Sequence, residues 1–177
     1  MNLFSKAILS AAIIGIALTG CGEKKDNHLK VGAIAGAETQ VAEEAAKIAK
    51  EKFGLEVEIV QFSDFATPNV ALNDGSIDVN AFQHKPYLDS QIKDRGFKLV
   101  AVGNTFVYPI AGYSKKIKAV SELKEGSQIA VPNDPTNLGR SLLLLQKQGL
   151  LKLKDGAGLS ATVLDIVENP KKVKIVE

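Results

Sequence analysis

The chain has 177 residues, a formal net charge of +2, 45% hydrophobic residues and a single cysteine, Cys21. That length holds one ordinary domain or parts of two, and the apolar content suffices for a packed core. Positive and negative charges are well mixed, so no basic stripe supports nucleic-acid binding, and a lone cysteine excludes an internal disulfide.

Lys6 precedes an uncharged, mostly apolar run from Ala7 to Leu18. A membrane span needs roughly 20 apolar residues, so this shorter run followed by small residues is a secretory signal. Leu18-Thr19-Gly20-Cys21 matches the bacterial lipobox. It predicts removal of residues 1–20 and a lipid on the sulfur of Cys21, which becomes the mature N-terminus. The other reading of Cys21 is an ordinary buried thiol. A lipidated Cys21 is unavailable as a thiolate ligand or nucleophile. Lys6 is the only ionisable side chain in the signal, so its removal takes the charge from +2 to +1. Residues 21–28 are polar and charged after Gly22, a flexible spacer between lipid and domain.

From Leu29 the pattern alternates between strand and helix. Leu29-Lys30-Val31-Gly32-Ala33-Ile34 is a short strand, and Gly36 opens a turn. Val41, Ala45, Ile48, Ala49 and Phe53 recur at helical spacing, which predicts an amphipathic helix over 39–53 stopped by Gly54. Leu55, Val57 and Ile59 alternate with charged residues as a second strand. Thr67 is placed as an N-cap with Pro68 at the first helical position, for a helix ending near Asp74-Gly75. Residues 77–82 form a third strand, Lys85-Pro86 starts a helix that runs to Arg95-Gly96, and residues 98–102 form a fourth strand. This rhythm predicts a mostly parallel sheet covered by helices.

Residues 104–114 are extended and broken by Pro109 and Gly112, which suits a crossing between lobes better than a central strand. A second α/β unit follows. It has a helical turn at Val120 to Leu123, a strand over 128–131 and a helix opened by Asp134-Pro135 with Leu138, Leu142 and Leu145 on one face. Gly149 ends that helix, and strands are expected over 163–167 and 173–176. The second unit has only about sixty residues against the roughly 80 that make a comfortable core. The expectation is therefore a piece of a longer protein; the alternative is a compact lobe that ends on a strand.

Three stretches carry chemistry. In Asp134-Pro135-Thr136-Asn137-Leu138-Gly139-Arg140-Ser141, Asp134 caps a helix whose free N–H groups and dipole favour an anion. Asn137 and Arg140 share a face three residues apart, and Arg140 can grip a carboxylate with two parallel hydrogen bonds. Gly139 leaves room for close approach. The plainer reading is a solvated arginine. Asn80-Ala81-Phe82-Gln83-His84-Lys85-Pro86-Tyr87 lies at the C-terminal end of a strand, where open parallel sheets bind ligands. Phe82, His84 and Tyr87 offer flat faces suited to an apolar or sulfur-containing side chain. Their plainer reading is core packing for Phe82 and Tyr87 and a solvated helix entry for His84. Phe65, in the loop after the second strand, adds a further aromatic wall, while Asp64 and Asn69 read as turn and helix-surface residues.

Catalytic arrangements are missing. His28 and His84 are the only histidines, and no GxSxG elbow, HExxH or P-loop occurs. Glu43 and Glu44 fall on a helix surface as solvated charge. No enzyme activity, metal or cofactor is expected.

The runs at 80–88 (NAFQHKPYL), 102–114 (VGNTFVYPIAGYS) and 131–140 (VPNDPTNLGR) carry a resemblance to the methionine-binding lipoproteins of ABC importers, the NlpA/MetQ family. The resemblance implies an α/β, type II periplasmic-binding-protein-like fold of two lobes with the second incomplete: lobe 1 over 29–105, a crossover over 106–113, and partial lobe 2 over 114–177. It implies methionine in the cleft, its thioether among Phe65, Phe82, His84 and Tyr87 and its carboxylate on Asn137 and Arg140. Phe65 stands where many relatives have tyrosine, so a hydroxyl contact is lost there. Relatives run on beyond position 177, and that part supplies further ligand contacts, including an asparagine. The implied partners are L-methionine or a related small molecule, an ABC permease with its ATPase, and the membrane through the N-terminal lipid. An inner-membrane anchor follows from that function. Gly22 is not the aspartate that retains many lipoproteins there, so an outer-membrane lipoprotein of the same fold with an envelope or surface role is the alternative. An enzyme on this fold is a third.

Overall fold

The computed structural model describes residues 27–177; the signal, Cys21 and most of the spacer lie outside the described residues. In chain order the elements are β1 (His28–Ile34), α1 (Ala37–Phe53), β2 (Glu56–Phe62), α2 (Thr67–Asn73), β3 (Val79–Asn80), α3 (Lys85–Arg95), β4 (Gln128–Ala130), α4 (Pro135–Lys147), β5 (Lys152–Leu153), β6 (Ile166–Glu168) and β7 (Lys174–Val176). Single 3-10 turns occupy Val120–Glu122, Gly158–Ser160 and Val163–Asp165.

The first sheet is parallel, in the order β2-β1-β3. Its central strand pairs with β2 along its whole length, His28 opposite Glu56 through Ile34 opposite Phe62. A parallel strand flanked on both sides is buried on both sides at its middle, and Gly32 and Ala33 are buried there. Helix α1 closes on Gly54, whose left-handed φ of 64° brings its N–H to the Lys50 carbonyl at 3.0 Å.

The face that α1 turns inward differs from the predicted one. Thr39 is buried and Ala42, Ala46 and Ala49 are half-buried, whereas Val41, Ala45, Ile48 and Phe53 point outward. Small side chains let the helix approach the sheet closely. The larger apolar residues therefore mark a second face of α1 rather than the one the sheet covers.

Three further expectations need correction. Residues 98–102 are extended but form no strand, with Val100 79% and Val102 85% exposed. A strand needs a neighbour to receive its hydrogen bonds, and no described residue pairs with this run. Thr67 does not cap α2. Asp64 does, accepting the backbone N–H groups of Ala66 and Thr67 at 2.8 Å each and the Thr67 hydroxyl. Residues 163–165 coil into a 3-10 turn because Thr162 and Asp165 form a capping box, and only 166–168 pair as β6.

The later residues carry a second core. Parallel β4 and β7 form one pair, and antiparallel β5 and β6 form another. Leu138 and Leu142 of α4 meet Leu151, Leu153 and Ala161, with Leu145, Ile166 and Ile175 packed around them. Leu142 is fully buried, so truncating it to alanine removes about 2–5 kcal/mol.

Candidate functional site

A cleft of about 910 Å³ lies where several loops converge. Its walls come from the first turn of α1 at Glu38, the loop after β2 at Phe65, β3 and the residues after it up to Lys85, the run 98–108, and the start of α4 at Asn137 and Arg140. All six sequence-predicted binding residues, Phe65, Phe82, His84, Tyr87, Asn137 and Arg140, line this one cleft.

The aromatic wall is ordered by ring geometry. Phe65 and Phe82 stack with centroids 6.1 Å apart and planes 12° from parallel. Tyr87 meets Phe82 edge-on at 6.1 Å and His84 edge-on at 6.3 Å, arrangements that suit the ring quadrupoles. Tyr87 is a core residue, 6% exposed, and its hydroxyl donates to the Phe65 carbonyl at 2.9 Å. Burial pushes its phenol pKa up, aided by the negative charge of Asp134. Tyr87 therefore ties the Phe65 loop in place, and Phe65 itself is half exposed to the cleft.

His84 is the N-cap of α3, and its Nδ1 accepts the Tyr87 N–H at 3.1 Å. That nitrogen carries no proton, so Nε2 carries it and donates to Oδ1 of Asn137 at 2.9 Å. The same Oδ1 accepts from Nη1 of Arg140 at 2.9 Å, and Nη2 of Arg140 donates to the Tyr108 carbonyl at 3.1 Å. Two hydrogen bonds leave most of the five guanidinium N–H groups for another acceptor.

Asp134 caps α4 as the Asp-Pro pair predicts. It accepts the Asn137 N–H and, through its other oxygen, the Asn137 side-chain amide, both at 2.9 Å. This orients the amide so that its oxygen faces His84 and Arg140. Gly139 serves a different purpose from the predicted one. A Cβ there would overlap the carbonyl oxygen of Leu159, so the missing side chain admits the 158–160 turn behind the helix, not a ligand in front of it.

Asn69 is fully buried rather than on the helix surface. It exchanges amide hydrogen bonds with Gln83 at 2.8 and 2.7 Å and accepts from Asn80 at 3.0 Å. Asn80 also donates to the Pro68 carbonyl at 3.2 Å. The network fastens the loop bearing Phe82 and His84 to α2. Sequence reasoning missed this network, and it missed Glu38, Phe106 and Tyr108 on the cleft wall. Glu38 follows the first strand by a few residues, so the strand-end rule that singled out 80–87 also reaches it. Among the described residues no group of His, Cys, Asp or Glu could hold a metal ion, and no helix is long and apolar enough to cross a membrane.

The family model described as NlpA lipoprotein matches residues 29–177. D-methionine-binding lipoprotein MetQ of Escherichia coli (strain K12) is 71% identical over 173 residues, covering 97% of this chain and 64% of that protein. A crystal structure of the methionine-binding protein MetQ shares 75% identity with a TM-score of 0.84, covering 85% of this chain and 62% of that one. A nutrient-binding protein from Burkholderia cenocepacia, solved bound to methionine, shares 55% identity with a TM-score of 0.82, covering 84% of this chain and 63% of that one. The chain thus spans just under two thirds of the length of these relatives, which are binding proteins, not enzymes. Its mixed α/β architecture matches that of these binding proteins over the part they share. Matched by the family model over nearly all of its described residues, the chain belongs to the NlpA lipoprotein family.

Proposed function

We propose that the protein is a lipid-anchored substrate-binding component that holds methionine and delivers it to an ABC importer. The observation that carries this reading is the meeting of an aromatic wall and an oriented arginine in a single cleft. Arg140, steered by Asn137, takes the ligand carboxylate in charge-assisted hydrogen bonds. Phe65, Phe82, His84 and Tyr87 hold the thioether, since sulfur packs well against ring edges. The methionine-bound Burkholderia relative and the methionine-binding names of the others support the same ligand.

In this reading residues 29–105 form the first lobe, 106–113 the crossover and 114–177 belong to the second lobe. Cys21 carries the lipid and fixes the protein to the envelope, facing the permease and its ATPase. Calorimetry on the full-length protein tests the ligand. One L-methionine bound per protein, with alanine bound at least tenfold more weakly, is the expected result. Equal affinity for the two amino acids, or no binding of either, overturns the reading.

A further inference from the structure

At an Asp-Gly pair the backbone can attack its own side chain, because glycine puts no side chain in the way of the ring that forms. The chain has two such pairs, Asp74-Gly75 after α2 and Asp155-Gly156 after β5, and all four residues are exposed. Exposure does not separate the pairs, but hydrogen bonding does. At the first, both reacting groups are engaged. The Asp74 carboxylate accepts the Ser76 hydroxyl at 2.6 Å and the Ser76 N–H at 2.9 Å, and the Gly75 N–H donates to the Leu72 carbonyl at 3.3 Å. The Ser76 hydroxyl and N–H also hold the Asp74 carboxyl pKa below its ordinary value, which depletes the neutral acid that can release an oxygen as water. At the second pair, Lys152 feels the charge of Asp155. Among the described residues, however, the Asp155 carboxylate accepts no hydrogen bond and the Gly156 N–H has no acceptor. One hydrogen bond, from the Ala157 N–H to the Lys154 carbonyl at 3.3 Å, closes this turn.

The geometry points to Asp155-Gly156 as a self-modification site, where aspartate isomerises to isoaspartate with water as the only co-reactant, while Asp74-Gly75 is protected. The Gly156 nitrogen bonds to Cγ of Asp155 and gives up its proton, and one carboxyl oxygen leaves as water, closing a succinimide ring. A water then adds to one of the two ring carbonyls and breaks its bond to the nitrogen. Opening at the side-chain carbonyl restores aspartate. Opening at the main-chain carbonyl leaves Gly156 joined through Cβ and Cγ, so mass is unchanged and the main chain is longer by one methylene. The extra length falls between Leu153, buried in the second core, and the 158–160 turn that packs against Gly139.

The test is peptide mapping of the full-length protein after weeks at neutral pH and body temperature in heavy-oxygen water. Electron-driven fragmentation tells isoaspartate from aspartate, and each passage through the ring takes up one heavy oxygen. Isoaspartate is expected to build up at 155 about tenfold faster than at 74, the effect of giving up even one hydrogen bond to a charged group at Asp74. Asp155→Glu, which would need a larger ring that closes more slowly, should abolish the product at 155 with the circular dichroism unchanged. Ser76→Ala should raise the product at 74 and leave 155 as it was. Equal build-up at the two pairs, or more at 74, overturns the proposal. So does a position 155 that gains neither isoaspartate nor heavy oxygen. No rise at 74 in Ser76→Ala overturns the protection assigned to Ser76.

Discussion

Nε2 of His84 donates to Oδ1 of Asn137 at 2.9 Å, joining the cap of α3 to the first turn of α4 across 53 positions of sequence. The bond couples the aromatic wall to the arginine, because Arg140 donates to the same oxygen. Asn137→Ala leaves both donors without their acceptor. Methionine affinity of the full-length protein should fall about tenfold, the worth of one hydrogen bond to a charged group. Calorimetry showing no change would mean that the amide does not steer the guanidinium.

Arg140→Ala removes the cation itself. Loss of a charge-assisted partner from a buried carboxylate costs about 2–5 kcal/mol, or roughly thirtyfold or more in affinity. Arg95→Ala, at the end of α3 and away from the cleft lining, is the control and should bind as the wild type does. Tight binding of a methionine analogue without its carboxylate would sink the clamp.

Asn69→Leu keeps the volume and deletes the amide. Gln83 and Asn80 then lose their buried partners. We expect a loss of about 1–3 kcal/mol in unfolding free energy, measured by urea denaturation. A neutral result would show that the Gln83 and Asn80 amides find replacement partners.

Asp165 sets a pH dependence. The Lys154 ammonium, 2.5 Å away, and the Thr162 backbone and hydroxyl hold its carboxyl pKa down to about 2, against an ordinary 3.8. A depressed carboxyl stabilises the fold while ionised. Its contribution is complete above pH 3.8 and disappears as pH falls through about 2. Thermal unfolding between pH 5 and pH 2 should therefore show a steeper acid loss in the wild type than in Asp165→Asn. Parallel curves would remove Asp165 from the acid response.

Cys21→Ser should leave the protein unlipidated and uncleaved at the lipobox, and found in the aqueous phase of a detergent partition. A variant that still partitions with detergent would carry its anchor elsewhere.

Local chemistry was the legible part of this chain. Asp134-Pro135 sets the start of α4 through contacts within three residues, and the structure keeps it there. The strand-end rule located the aromatic loop, because β3 runs straight into it. What failed was whatever depends on distant partners. Alternating valines at 98–102 read as a strand, but pairing is decided by a neighbour, and no described residue supplies one. Asn69 read as surface because asparagine usually is. Only Asn80 and Gln83, 11 and 14 positions away, make its burial tolerable. The face of α1 was misjudged for a similar reason: hydrophobicity identified an apolar stripe, and the sheet chose the small residues instead.

Gly139 lies outside the cleft lining, against the Leu159 carbonyl. The direction in which Arg140 and Asn137 point is thereby governed by a backbone that never meets the cleft. Any side chain at 139 must either lift the helix or displace the 158–160 turn, and either motion swings the arginine off its aim. A survey of binding-defective variants would thus recover position 139 alongside the residues proposed to hold methionine. Its phenotype would be a correctly folded receptor whose grip is rotated, a defect that inspection of the cleft alone would never trace to its source.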